Sequence, residues 1–115
     1  MTMPLDIVVR ENIARLKYPS GFAVCENSNY TVSFEFDSEW EIEGQKMARF
    51  SYNGTHEDVE ISGSAAQGYT CSMPIIPNCH AIEIGAYIGT QKASTPVLVP
   101  MKPIVDIYRR TRIIM

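Results

Sequence analysis

Tyr30-Thr-Val-Ser-Phe-Glu-Phe36 is the most regular stretch of this sequence. Tyr30, Val32, Phe34 and Phe36 alternate with Thr31, Ser33 and Glu35. That is the period of a strand with one apolar face in a core and one polar face in water. The alternation stops at Asp37-Ser-Glu-Trp-Glu-Ile-Glu-Gly44. Ser38, with Glu41 three residues on, has the spacing of a capping box. It predicts a short helical turn or tight loop, closed by Gly44.

The same period recurs on both sides. Upstream, Leu5, Ile7 and Val9 alternate with Asp6, Val8 and Arg10. Downstream, Lys46 to Tyr52 reads as a strand with Met47 and Arg49 on one face and Ala48 and Phe50 on the other. Asn53-Gly54 then predicts a two-residue hairpin turn. His56 to Ser62 is the expected return strand, with Val59 and Ile61 inward. Gly63 to Gly68 reads as a small-residue loop and Tyr69 to Met73 as a short strand. Pro74 and Pro77 mark a connection, since proline cannot donate to a central ladder. Ala81 to Ile88 alternates again, and Pro96 to Pro100 holds a last strand. The pattern predicts an all-β fold, an immunoglobulin-like antiparallel β-sandwich of about seven or eight strands over residues 1–103. Phe34, Phe36, Trp40, Phe50, Ile82 and Ile84 are its expected core. A C-terminal arm is expected over residues 104–115.

The chain has 115 residues, enough for one domain. Its formal net charge of −3 argues against a nucleic-acid binder. No apolar run approaches the roughly 20 residues that cross a bilayer as a helix. The N-terminus lacks the basic start and apolar run of a secretory signal. Neither nucleic acid nor membrane is therefore an expected partner. The charge is unevenly laid out: Glu26 to Glu60 holds nine acidic residues against Lys46 and Arg49 alone, whereas Arg109 to Met115 holds Arg109, Arg110 and Arg112 and no acid.

Signals for chemistry are weak. Nucleotide-binding loops, zinc-protease motifs and nucleophile elbows are not found in the sequence. Ser64 has no recognised spacing to His56 or His80. Cys71, Cys79, His80 and His56 would be the material for a zinc site, but Cys79 and His80 are adjacent and in a strand point to opposite faces. Asp37, Glu39, Glu41 and Glu43 alternate like a calcium loop, interrupted by Trp40 and Ile42. They read as a solvated acidic face. No enzyme activity, metal or other cofactor is expected.

A family resemblance rests on four segments. These are Tyr30-x-Val-x-Phe-x-Phe-Asp37-x-x-Trp40, Lys46-x-Ala48-x-Phe50, Thr70-Cys-x-x-Pro74 and Ile82-x-Ile-Gly85-x-Tyr87-x-Gly89. Their order resembles the small domain of tail and baseplate proteins in phages and prophages of Gram-positive bacteria. It is similar to the N-terminal domain of upper baseplate proteins. Ala86 departs from the pattern, which has a valine there. The resemblance implies a non-enzymatic virion structural protein, made in the bacterial cytoplasm and carried in the particle. Its partners would be other virion proteins, and a homo-oligomer is expected. A head decoration protein or head-fibre base is the alternative within that class. A carbohydrate-binding module, stacking sugars on Trp40 and surface tyrosines, is the alternative outside it.

The arm is the expected contact. Tyr108, Arg109, Arg110, Arg112, Ile113, Ile114 and Met115 combine positive charge with an apolar end. Such a segment fits either a last strand on its own sandwich or an arm on a neighbouring subunit, steered by opposite charge.

Overall fold

Alternating apolar residues build two sheets whose inner faces meet. The structure, a computed structural model, describes residues 5–18, 23–24, 30–76 and 80–102. In chain order the strands are β1 (Leu5–Arg10), β2 (Ile13–Leu16), β3 (Ala23–Val24), β4 (Thr31–Phe36), β5 (Lys46–Tyr52), β6 (Thr55–Glu60), β7 (Ser62–Ser64), β8 (Gly68–Ser72), β9 (Ala81–Ile88), β10 (Lys92–Ala93) and β11 (Val97–Lys102). One sheet has the order β2-β1-β4-β8-β7 and the other β3-β11-β9-β5-β6, with β10 paired to β9. The chain is a β-sandwich. Its strands are more numerous than the sequence predicts, and its sheets are mixed rather than antiparallel throughout. β1 runs parallel to β4, and β11 runs parallel to β3. Residues 104–115, the expected arm, lie outside the described residues.

The core follows the period-2 pattern. Leu5, Ile7 and Val9 from β1 and Val32 and Phe34 from β4 face Ala48 and Phe50 from β5 and Ile82, Ile84, Ala86 and Ile88 from β9, all buried. Each large apolar side chain so buried contributes roughly 1.5–3 kcal/mol before ordering losses. Phe36 departs from expectation. It is half-buried and packs against the core from its rim, at the end of β4. There it stacks on Phe34 (5.6 Å) and meets Trp40 (5.0 Å) and the edge of Tyr69 (5.3 Å).

The turn after β4 is a 3-10 turn, Ser38–Trp40, and its cap is Asp37 rather than Ser38. Asp37 Oδ1 accepts from the Glu39 N–H (3.2 Å) while Oδ2 accepts from the Glu11 N–H (2.8 Å). One carboxylate thus both starts the turn and ties it to the β1–β2 connection. The turn delivers Trp40 into the core at 0% exposure.

Two connections fix the hairpins. Asn53 (φ 47°) and Gly54 (φ 77°) form the expected β5–β6 turn, with Arg49 opposite Asp58 and Tyr52 opposite Thr55. Gly63 (φ 124°) lets β7 approach β8 so closely that a Cβ there would lie 1.9 Å from the Gly68 carbonyl oxygen. Residues 63–68, expected as a loop, therefore include strand pairing. Between β6 and β7 the chain passes from one sheet to the other at buried Ile61, whose N–H donates to the Lys46 carbonyl (2.9 Å). A Cβ at Gly85 would meet Pro96 and Ser94 at ordinary contact distance.

Candidate functional site

The β5–β6 register and the β5–β9 register bring three polar side chains together on the outer face of the second sheet. Arg49 lies opposite Asp58 on one side and Gly85 on the other. Its guanidinium grips the Asp58 carboxylate with two bonds, Nε to Oδ1 at 2.9 Å and Nη2 to Oδ2 at 3.0 Å. The Tyr87 hydroxyl donates to the same Oδ2 at 2.7 Å, and the guanidinium lies 5.2 Å from the Tyr87 ring centroid. The Arg49 bonds hold the Asp58 carboxyl down at about 2, helped by the Tyr87 hydroxyl. The bond to Asp58 in turn raises the Tyr87 phenol above its ordinary value.

Next to this cluster is an open groove of about 340 Å³, bounded by Arg49, Tyr87, Ser94 and Pro96. Ser94 is fixed by two bonds to Ala86, one through its backbone N–H (2.8 Å) and one accepted by its Oγ (3.0 Å). At neutral pH Asp58 is a saturated acceptor, unsuited to taking a proton from a substrate. The cluster clamps β5, β6 and β9 together and presents a neutralised ion pair at the surface.

A second cluster joins the two sheets. Lys46 is 7% exposed and its ammonium lies 4.8 Å from the Tyr69 ring and 5.7 Å from the Phe36 ring. With both rings half-buried, such contacts are worth ~0.5–2 kcal/mol each. The Tyr69 hydroxyl donates to the Glu41 carboxylate (2.9 Å to Oε2), and burial followed by this bond raises its phenol. Glu41 and Asp37, two of the four alternating carboxylates, thus have structural partners.

The expected site residues fall into two groups. Phe34, Trp40, Phe50, Ile82 and Ile84 are buried, with Phe36 at the rim. Tyr108, Arg109, Arg110, Arg112, Ile113, Ile114 and Met115 lie outside the described residues. The sugar platform on Trp40 is overturned, because the ring is buried and covered by Phe36 and by Lys92, whose ammonium is 5.4 Å away. Cys79 lies outside the described residues, His80 is exposed and Cys71 is buried. Among the described residues no three His, Cys, Asp or Glu side chains group to hold a metal ion.

The Arg49–Asp58–Tyr87 cluster is absent from the sequence expectations. Its signal was the Asn53-Gly54 turn, which fixes every pairing along β5 and β6. Comparison with family models, curated proteins and solved structures gives no match.

Proposed function

We propose that this chain is a non-enzymatic structural protein of a phage or prophage particle, an assembly or attachment module of the tail or baseplate. One observation carries the reading: the residues that make the resemblance are those that join the sheets. Asp37 caps the turn that buries Trp40, and Phe34, Ala48, Phe50, Ile82 and Ile84 meet in one core. A pattern made of such residues describes a rigid body rather than a reaction centre. The acidic outer strand β6 supports the same reading, since charged strand edges discourage indiscriminate pairing and leave room for selective contact.

In this role the module works as an oligomer and contacts other virion proteins. The test is localisation. Antibody against the purified protein, gold-labelled and applied to particles from the host that carries the gene, is expected to mark the tail tip. Label on the capsid would move the protein to a head decoration role, and unlabelled particles would refute the proposal.

A further inference from the structure

The second sheet ends at β6, which pairs with β5 on one side and has no strand partner on the other among the described residues. We infer that this open edge seats residues 109–115 of a neighbouring copy, added as a parallel strand; the inference rests on the structural role proposed above.

The two sequences match position by position. Glu57-Asp58-Val59-Glu60-Ile61 set beside Arg109-Arg110-Thr111-Arg112-Ile113 places an arginine next to each carboxylate and isoleucine next to isoleucine. Residues directly opposite across a ladder share a face, so Arg109 meets Glu57 and Arg112 meets Glu60, while Asp58 keeps its bonds to Arg49 and Tyr87. Glu57, Asp58 and Glu60 are exposed, Val59 is half-buried and Ile61 is buried. Beside them an open hollow of about 650 Å³ runs between β6 and β8, past Val59 and Cys71. The apolar end of the arm, Ile113-Ile114-Met115, arrives at that side. Parallel pairing is already in use in this fold, at β1–β4 and β11–β3.

Reach decides between the same chain and another. Lys102 ends β11, and the added strand would lie beyond β9, β5 and β6. Four strand spacings are about 19 Å, and the registers put Glu57 five residues, about 17 Å, further along the strand direction from Lys102. The straight line is therefore about 25 Å and runs through the sheet, while seven residue steps span at most about 25 Å fully extended. A chain that must pass round the β5–β6 turn cannot place its own Arg109 beside Glu57. A second copy can.

The experiment uses the full-length protein and two charge-reversed variants. One carries Arg109→Glu and Arg112→Glu, the other Glu57→Lys and Glu60→Lys. Light scattering gives the mass in solution, and hydrogen exchange reads the β6 amides that point away from β5. Wild type is expected to associate, with protection of β6 rising together with the oligomer fraction and falling with salt. Each variant alone is expected to associate at least ~10-fold more weakly. Mixed, the variants should associate again, because each arm then faces an edge of opposite charge. Unchanged exchange of the core strands checks that both variants fold.

Protection of these outward β6 amides in a monomer would mean that the chain covers its own edge, and would overturn the inference. Association with unprotected β6 amides would overturn it too. Neither result touches the particle assignment, which antibody labelling reads separately.

Discussion

Trp40 is the sharpest probe of how the sheets are joined. Its ring is fully buried, 5.0 Å from Phe36 and beneath the Lys92 ammonium at 5.4 Å. Truncation removes those contacts and leaves a cavity where the turn enters the core. Trp40→Ala should therefore destabilise the fold by ~3–5 kcal/mol. Trp40→Phe should behave differently. The indole Nε1 is buried and has no hydrogen-bond partner among the described residues. An unmade bond of that kind costs ~1–3 kcal/mol, and phenylalanine removes it. Part of the lost volume is then offset, and the net loss should stay below ~2 kcal/mol. Urea unfolding followed by circular dichroism measures both, since the variants lack the only tryptophan. If Trp40→Phe is as damaging as Trp40→Ala, the N–H has a partner and the reasoning about this plug is wrong. A loss under ~1 kcal/mol for Trp40→Ala would show that the turn does not pack as described.

Three further outcomes follow from particular contacts. Gly63→Ala pushes a Cβ into the Gly68 carbonyl, so it should destabilise by ~1–3 kcal/mol, more than Gly54→Ala, which has φ 77° but open space around it; paired thermal melts compare the two. Asp58 has a folded value of about 2, below its ordinary 3.8, so its stabilising effect is complete above pH 3.8 and disappears as pH falls through 2. Melting temperature should accordingly fall less between pH 4 and pH 2 in Asp58→Asn than in the wild type. Burial pushes the Cys71 thiol up to about 12, so peptide mapping should find it unlabelled by iodoacetamide at about pH 8 in native protein and labelled in urea.

Much of the fold is legible in the sequence wherever one face of a strand is buried. Tyr30 to Phe36 and Ala81 to Ile88 show the alternation because only their inner residues meet the core. Asn53-Gly54 is legible because its geometry requires positive φ at both positions. The β1–β2 turn uses the same geometry with Glu11 (φ 51°) and Asn12 (φ 64°), and glutamate is a poor advertisement for it. That is why β2 is hard to see, although Ala14 and Leu16 carry the alternation. β7 and β10 are too short for a period to register; they exist because Gly63 permits close approach and because β10 folds back on β9.

Side-chain chemistry is less legible for a different reason. The Asp37 cap could be read from its place before the turn. Its second bond, to the Glu11 N–H, depends on β1 lying parallel beside β4. The Lys46 cation between Phe36 and Tyr69 depends on the distance between sheets, which no local pattern encodes. The Arg49–Asp58 pair lies between these cases: given the hairpin turn, simple counting finds it.

The most direct measurement of the account is the protein content of purified particles. Quantitative mass spectrometry of virions from the host carrying this gene should find this chain at a fixed copy number relative to the tail proteins. Absence of the chain from purified particles, with abundant soluble chain left in the lysate, would contradict it.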